Sequence, residues 1–387
     1  MSIFTLVNVF SPGVKGGGPS QSLEHLLHSA ELEVRVFTSA HDLDGTGLDV
    51  ATDQWVDWSS NFSIKVFYSS KRGHRQLLQM FQEIGKAKPS VVWVNSFFDF
   101  KYSLLPQLVA RMMGHPVIIS PRGELMEGAL SIKKAKKILF LSLLKVLYRI
   151  FKPRFHFTSE EERTDALRYL GDCDNDLFPN YSRKPMSKNC LEPSVSDRGM
   201  SQRLVFLARL VPKKGLDIAL RVLAELDQDY TLEIYGDFED PHYEYEIKEL
   251  VRTLELFDRV IFRGFIPFEE ALPQISVCQL MLAPTRGENF GHSIYECLSI
   301  GLPVVTSDQT PWKDSPALKV CKLDDIRSYV ERIIEIEKSD AFELAENALQ
   351  QAQAYYDTLP TPTLFLNSLE TKSDSSVLSL NIEKLDH

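Results

Sequence analysis

Short apolar segments alternate with helix-forming segments in two successive series, and this alternation restricts the fold of the chain more than any other feature. The first series runs from Thr5–Val9 to Phe155–Thr158, and the second from Leu204–Leu207 to Val304–Ser307. Strands that alternate with helices usually build parallel sheets covered by helices. Because 387 residues are also many for one hydrophobic core, the sequence predicts two α/β domains whose parallel sheets face each other across a cleft.

The two series are separated by a polar segment, residues 183–201, which carries prolines and serines and few apolar side chains. We therefore place an N-terminal domain at 1–182, a linker at 183–201 and a second domain at 202–355. Residues 356–372 are predicted to form a C-terminal helix that can pack back on the N-terminal domain. Residues 373–387 are predicted to be a flexible tail.

Charge and cysteine usage restrict the partners and the compartment. The formal net charge is −10, which disfavours a nucleic-acid partner, since such proteins usually present a basic surface. The five cysteines show no CxxC pair, which suits a reducing compartment. The first residues lack the pattern of a signal peptide, and the longest apolar run is interrupted by Lys145 and Arg149 and is too short to span a bilayer. The expected location is cytoplasmic.

The first strand of the second series is followed by two cations at the start of a helix. Arg209 lies just past the strand in FLARLVPKKGLDIAL, and Lys214 with Gly215 opens the helix. The free N–H groups of a helix start, together with two cations, suit a diphosphate. Two later strands end at Gly236 and Gly264, where the backbone can approach a flat ring closely.

Two glutamates follow with seven residues between them, in TRGENFGHSIYECLSIGLPVVTSD. Glu288 is predicted to lie in a loop, and Glu296 in the first turns of a helix that begins at His292 and ends before Gly301. Their carboxylates can accept hydrogen bonds from hydroxyl groups, as in sugar and ribose recognition. The alternative is that Glu288 is solvated and Glu296 is merely exposed.

In this order and spacing, FLARLVPKKGLD, LEIYGDFED, VIFRGFIP and MLAPTRGENFGHSIYECLSIGLPVVTSD resemble the donor-binding domain of GT-B glycosyltransferases. The resemblance is to the large retaining family four, of the bacterial surface-polysaccharide type. It implies two Rossmann-like domains, with the acceptor side in the N-terminal domain and the nucleotide-sugar site in the C-terminal one.

The resemblance also implies roles for single residues. Arg209, Lys214 and Glu288 would form the catalytic group, in which the two cations hold the donor's diphosphate. Glu288 and the amides of 289–291 would contact the transferred sugar, and Glu296 would bind the ribose hydroxyls. The implied donor-binding set is Gly17, Gly18, Gly236, Gly264, Asn289, Phe290, Gly291 and Glu296.

The first half matches the family in outline. Three glycines, 16–18, lie between a strand and a helix, as in the family's glycine-rich loop. They do not form a dinucleotide fingerprint, because Gln21 stands at the third glycine position and the second strand ends at Thr38 rather than at an acidic residue. A plain tight turn is the alternative.

Arg122 stands roughly where many relatives have a histidine. Arg122 is therefore a candidate for contact with the sugar or an acidic acceptor, and His292 is a minor candidate for the same contact.

Residues 133–154 carry eight basic residues and no acidic one. Lys134, Lys137, Lys145, Arg149 and Lys152 fall near one helical stripe. Such a helix can lie on an anionic membrane, where a lipid-linked acceptor is presented, which would place the protein peripherally on the inner face. An internal helix with a solvated basic edge is the alternative.

Two Asp-x-Asp patterns, at Asp42 and Asp172, are too short to indicate a metal, and neither a metal site nor a cofactor is expected. The resemblance implies metal-independent transfer of a sugar from a nucleoside diphosphate donor to a glycan or lipid-linked acceptor, with retention. The expected process is the biosynthesis of lipopolysaccharide, capsule or exopolysaccharide. A non-catalytic relative that binds a nucleotide sugar or glycan is the alternative.

Overall fold

A computed structural model of the chain describes residues 2–28, 30–58, 63–131, 134–188, 195 and 202–370. The chain divides into two compact units, the first formed by residues 1–181 and 359–387 and the second by residues 182–358. The predicted tail at 373–387 and most of the predicted linker lie outside the described residues.

The first unit is built on an eight-stranded sheet. Its strands are β1 (Ile3–Leu6), β2 (Val34–Ser39), β3 (Trp55–Asp57), β4 (Ile64–Ser69), β5 (Val91–Val94), β6 (Val117–Ile119), β7 (Arg154–Phe157) and β8 (Asn175–Leu177). Their order is β3-β4-β2-β1-β5-β6-β7-β8, and all pairs are parallel except β3 with β4. β1 and β5 are buried along their whole length, as expected for strands with helices on both faces.

Six helices lie among the described residues that precede the second unit, and they connect the strands apart from β2, β3 and β4, which follow one another without a helix. The helices are α1 (Gly17–His28), α2 (His74–Ala87), α3 (Leu105–Met112), α4 (Glu127–Ser131), α5 (Lys134–Phe151) and α6 (Glu160–Leu170). A π-helical turn, Phe100–Leu104, leads into α3.

The second unit has a six-stranded sheet whose pairs are all parallel. Its strands are β9 (Arg203–Leu207), β10 (Thr231–Tyr235), β11 (Val260–Gly264), β12 (Leu280–Ala283), β13 (Val304–Ser307) and β14 (Leu318–Cys321), in the order β11-β10-β9-β12-β13-β14. Its helices are α7 (Leu216–Glu225), α8 (Pro241–Thr253), α9 (Phe268–Ile275), α10 (His292–Ser299), α11 (Ile326–Glu337) and α12 (Ala341–Asp357). The predicted class of two parallel-sheet α/β domains is confirmed.

Each sheet has one point where the order of its strands reverses. In the first unit this switch point lies between β1 and β5, and in the second between β9 and β12. The loops that leave neighbouring strands there run in opposite directions and open a crevice at the carboxyl edge, where open α/β sheets bind ligands. The two switch points therefore indicate where to look for a site in each unit.

The last described helix, α13 (Pro362–Glu370), belongs to the first unit. Phe365 is only 1% exposed, and its ring centroid lies 5.7 Å from Trp93, 4.9 Å from Phe178 and 5.7 Å from Tyr181. Aromatic pairs at these distances stabilise a core beyond the area that they bury. The core of the first unit thus includes residues from the end of the described chain.

The described part of the predicted linker packs on the second unit. The Met186 amide donates to the Ser299 carbonyl at 2.8 Å, and the Tyr295 hydroxyl donates to the Arg183 carbonyl at 2.7 Å. Residues 183–188 are therefore ordered by hydrogen bonds and buried contacts. The composition of the segment does not show these contacts.

The surface of helix α5 shows only part of the predicted basic stripe. Lys137 turns inward, where its Nζ donates to the Ala129 carbonyl at 2.7 Å, whereas Arg149 and Lys152 of the predicted stripe are exposed. The exposed surface also carries apolar side chains that are each 57% to 70% exposed, namely Leu139, Leu143, Val146 and Ile150. We call these four residues the α5 stripe. Lys133 and the side chain of Lys134 lie outside the described part of the chain.

No helix among the described residues combines the length and the apolar character that crossing a bilayer requires.

Candidate functional site

Two loops meet at the switch point of the second unit, residues 208–215 after β9 and residues 284–291 after β12. The Arg286 amide donates to the Lys213 carbonyl at 2.8 Å, and the Arg286 guanidinium binds both Asp217 oxygens, at 2.9 and 2.7 Å. Such a two-pronged contact fixes orientation as well as distance. The two loops are therefore held together as one surface.

Two glycines allow close backbone approach in this surface. Gly215 has φ 76°, and a Cβ atom there would lie 1.9 Å from the Pro284 carbonyl oxygen. A Cβ atom at Gly236 would lie 1.9 Å from the Ala208 carbonyl oxygen. Since no other residue lacks this atom, the packing of the loops is itself a reason for glycine at 236. The Gly236 amide also donates to the Gly264 carbonyl at 2.9 Å.

Lys214 and Glu288 form an ion pair across the two loops. The Nζ to Oε1 distance is 2.5 Å, and the two side chains are only 19% and 14% exposed. Partial removal from water strengthens such an attraction, since the effective dielectric constant falls. Both residues line a narrow crevice with Thr285 and Ser293. Of the three predicted catalytic residues, the structure thus brings these two together.

Arg209 has a different partner. Its Nη1 lies 2.8 Å from Glu239 Oε1, in a pair that is about half exposed. Exposed pairs of this kind contribute little to stability, so Arg209 can exchange Glu239 for a ligand at small cost.

Lys213 is a further cation of this loop, which our interpretation of the sequence did not include. Partial burial lowers the pKa of Lys213, while Glu288 raises it and the neighbouring Lys214 and Arg209 lower it again. Three cations therefore act on one another around Glu288. The signal in the sequence was the paired lysine of VPKKG.

The start of α10 carries the predicted sugar-binding amides. Gly291 caps the helix with φ 83°, directly after Asn289 and Phe290. The Phe290 side chain is buried and contacts the rings of Trp312 and Tyr355 at 5.5 and 4.8 Å. Phe290 can therefore offer a ligand its main chain only. The His292 ring meets the Phe290 ring edge-on at 4.9 Å.

Glu296 lies one turn further along α10, in a different environment from Glu288. Loss of water around its carboxyl raises the pKa of Glu296 to about 8, with Arg183 acting to lower the pKa and Glu269 to raise it. Arg183 and Glu269 pair with each other at 2.7 Å. Glu296 is thus only partly exposed and mostly protonated at neutral pH, unlike the merely exposed carboxylate of the alternative interpretation.

In the first unit, the glycine-rich loop enters α1 at Gly17, with Gly18 as its second residue. Asp42 holds this loop, because its Oδ2 accepts the Val14 amide at 2.9 Å and the Lys15 amide at 3.2 Å. The first Asp-x-Asp pattern therefore has a structural explanation.

Arg122 is held from several sides at the carboxyl ends of β5 and β6. Its guanidinium donates to Asn95 at 2.8 Å and Asn180 at 2.9 Å, and it lies over the Trp93 ring at 5.8 Å. Burial lowers the pKa of Arg122 to about 10, so the guanidinium remains charged at neutral pH. These contacts fix where the cation lies within the first unit.

Two parallel-sheet α/β units, with charged loops at the switch point of the second, define the GT-B class of fold. HepE of Anabaena, solved in complex with UDP and glucose, matches 96% of this chain and 100% of its own chain with a TM-score of 0.72. The sequence identity is 16%, so this likeness concerns the fold alone.

Residues 192–355 match the family of glycosyl transferases group 1. WclY of Escherichia coli, an O-antigen biosynthesis glycosyltransferase, is 29% identical over 143 residues, which are 36% of this chain and 36% of WclY. The alpha-D-kanosaminyltransferase of Streptomyces kanamyceticus is 29% identical over 151 residues, which are 38% of this chain and 37% of that protein. The alignments span little more than a third of the length of these curated relatives.

Proposed function

We propose that this protein is a glycosyltransferase that moves a sugar from a nucleoside diphosphate donor to a glycan or lipid-linked acceptor. The observation that carries the proposal is the pair of Lys214 and Glu288, 2.5 Å apart at the switch point of the second sheet. A cation positioned there can meet a diphosphate, and a carboxylate can accept hydrogen bonds from a sugar.

The proposed reaction breaks the bond between the anomeric carbon of the sugar and the diphosphate oxygen. The acceptor hydroxyl forms the new bond on the same face, and its proton passes to the departing phosphate, so the configuration is retained. Negative charge grows on the diphosphate as it departs, and Lys214, Lys213 and Arg209 are the cations that can stabilise it. These three cations take the part that a divalent metal has in other transferases, and we therefore propose metal independence.

The proposed process is bacterial surface-polysaccharide biosynthesis. WclY, which is similar to this chain over 143 residues, is an O-antigen biosynthesis glycosyltransferase. HepE binds UDP-glucose, which makes UDP-glucose the first donor to test.

A thermal-shift panel of nucleotide sugars tests the function, and we expect at least one to stabilise the protein. A ligand at 100 times its dissociation constant adds about 2.7 kcal/mol to the free energy of unfolding. We expect the same shift, and the same transfer activity, in the presence of EDTA.

The alternative functions predict other results. Loss of activity in EDTA that Mn²⁺ or Mg²⁺ restores would contradict metal independence. Stabilisation by a nucleotide sugar without transfer or hydrolysis would favour the non-catalytic relative. If no nucleotide sugar stabilises the protein, the proposed donor site is contradicted.

We also propose that the α5 stripe contacts an anionic membrane. Its four apolar side chains are exposed on one helix face, and Arg149 and Lys152 are exposed beside them. An apolar face bordered by cations is the pattern of helices that lie in a bilayer interface. This surface would bring the protein to a lipid-linked acceptor.

Co-sedimentation with liposomes tests this contact. We expect binding to liposomes that contain anionic lipid, weaker binding at high salt, and a clear loss in the double variant Leu143→Asn/Ile150→Asn. The reversal Arg149→Glu/Lys152→Glu should also weaken binding, since each basic residue near the surface adds about 1 kcal/mol. Phe342→Ser, which removes an exposed apolar side chain of the second unit, is the control. The proposal would be contradicted if binding does not depend on the anionic lipid content and is unchanged in both double variants.

A further inference from the structure

A cavity of about 520 Å³ lies within the first unit. Its lining comes from the segments that follow β1, β2, β4 and β5, so the cavity lies beside the switch point between β1 and β5, where ligands bind in such sheets. Its volume is within the range of small-molecule sites. All residues that line it belong to the first unit.

Three cations line this cavity: Lys71, Arg72 and Lys101. Lys71 lies 3.5 Å from Asp53, and Arg72 makes a long contact of 3.4 Å with the Gly45 carbonyl. All three side chains are exposed, so an incoming anion can reach them.

The two carboxylates of the lining, Asp42 and Asp99, are engaged by the main chain. Asp42 accepts the Val14 amide, and Asp99 accepts the amides of Lys101 and Tyr102, both at 2.8 Å. These acidic groups shape the loops of the cavity wall and leave the cations to face a ligand.

Two further groups add hydrogen-bond donors. Helix α2 begins directly after the Lys71–Gly73 segment, without a side-chain cap or an acidic residue in its first turn, and the free N–H groups of a helix start favour anions. The Tyr102 hydroxyl accepts from Gln76 at 2.7 Å, which leaves its own hydrogen to be donated. Burial raises the pKa of Tyr102, so the hydroxyl keeps that hydrogen.

Apolar side chains complete the cavity. Phe100 and Leu43 both line it, and they are 61% and 54% exposed. Exposed large apolar side chains beside polar groups mark a binding surface. The ligand that fits therefore combines a compact anion with an apolar surface, such as the C–H face of a sugar ring or a hydrocarbon chain.

We propose that this cavity binds a phosphate group of the acceptor substrate. That the ligand is the acceptor rests on the proposed transferase function, whereas the phosphate site itself rests on the residues of the cavity. Arginine, lysine and helix amides are the donors that proteins use for phosphate. The phosphate belongs either to a phosphorylated sugar or to a lipid phosphate, since both combine this anion with an apolar surface.

Calorimetric titration of the full chain with glucose 6-phosphate, farnesyl phosphate and glucose tests the site. We expect a phosphate compound to bind, and the variant Arg72→Ala/Lys101→Ala to bind it at least tenfold more weakly. Lys86→Ala, which removes an exposed lysine at the far end of α2, is the control for the loss of a cation outside the cavity. Preference for glucose 6-phosphate would assign a sugar phosphate, and preference for farnesyl phosphate a lipid phosphate.

Three results would overturn the proposal: glucose binding as tightly as the phosphates, unchanged binding in Arg72→Ala/Lys101→Ala, or an equal loss in Lys86→Ala. The test is separate from that of the donor site. If the protein binds the probes through Arg72 and Lys101 but binds no nucleotide sugar, the phosphate site is supported and the transferase function is not. If it binds a nucleotide sugar but none of the probes, the transferase function is supported and the phosphate site is not.

Discussion

Replacing Lys214 by Ala is expected to lower turnover by about 10²-fold or more, a typical loss for one charge contact made in a transition state. Lys214 is the least exposed of the three cations in its loop, and Glu288 holds its ammonium at 2.5 Å. A positioned cation stabilises the departing diphosphate without further reorganisation, and an alanine cannot replace this effect. Steady-state kinetics with the donor identified in the nucleotide-sugar panel give the measurement.

A matched control is available in the same unit. Lys248 pairs with Glu244 at 2.6 Å, but on the exposed face of α8, so Lys248→Ala removes a similar pair away from the crevice. We expect its turnover to be close to wild type. Unchanged turnover in a folded Lys214→Ala variant would contradict the assignment of Lys214 to the diphosphate.

Replacing each of the two glutamates by Ala is expected to impair a different step, turnover in one variant and ligand binding in the other. Glu288→Ala should lower turnover by about 10²-fold and leave the affinity for free nucleoside diphosphate nearly intact, because we place Glu288 against the sugar, which changes in the transition state. Glu296→Ala should mainly weaken the binding of nucleoside diphosphate, because ribose does not change during transfer. Titration of both variants, compared with their turnover, separates the two roles.

The pH dependence adds a readout for Glu296. Its pKa is raised from 4.5 to about 8, so the carboxyl is mostly neutral at pH 7 and ionises as the pH rises through 8. Two ribose hydroxyls donate best to an ionised carboxylate. The affinity of wild type for nucleoside diphosphate should therefore rise between pH 7 and pH 9, and Glu296→Gln should lack this rise.

Two results would count against these roles. If Glu288→Ala abolishes nucleoside diphosphate binding and Glu296→Ala does not, the two assignments are reversed. If neither variant differs from wild type, the spacing of the glutamates reflects the fold alone.

The strands that form the centres of the two sheets could be predicted from sequence, because burial on both faces leaves continuous apolar runs. Leu280–Ala283 and Val304–Ser307 agree with the structure at both ends, whereas the predicted strand Thr5–Val9 is shifted, since β1 is Ile3–Leu6. β3 and β8 did not appear in the prediction, because each has only three residues and none of them is buried. Such edge strands are defined by pairing with a neighbour, which periodicity does not show.

The contacts of the candidate site were less predictable than its residues. The sequence indicated Lys214 and Glu288 separately, but their ion pair depends on β9 and β12 being neighbours in the sheet. The environment of Glu296 depends on Arg183 and Glu269, which are far away in sequence. Side-chain partners across such separations follow from the topology of the sheet.

The position of α13 has a consequence for how the protein is made. Phe365 and Leu366 are buried in the core of the first unit. Along the chain, however, the whole second unit separates them from the strands of that core. Domains usually fold as units during synthesis, with the N-terminal one first. Here the ribosome must finish the second unit before the first can close its core around Trp93 and Phe178. A nascent chain therefore waits with an incomplete first unit, and a fragment that stops at Tyr181 would expose apolar rings that the intact protein covers.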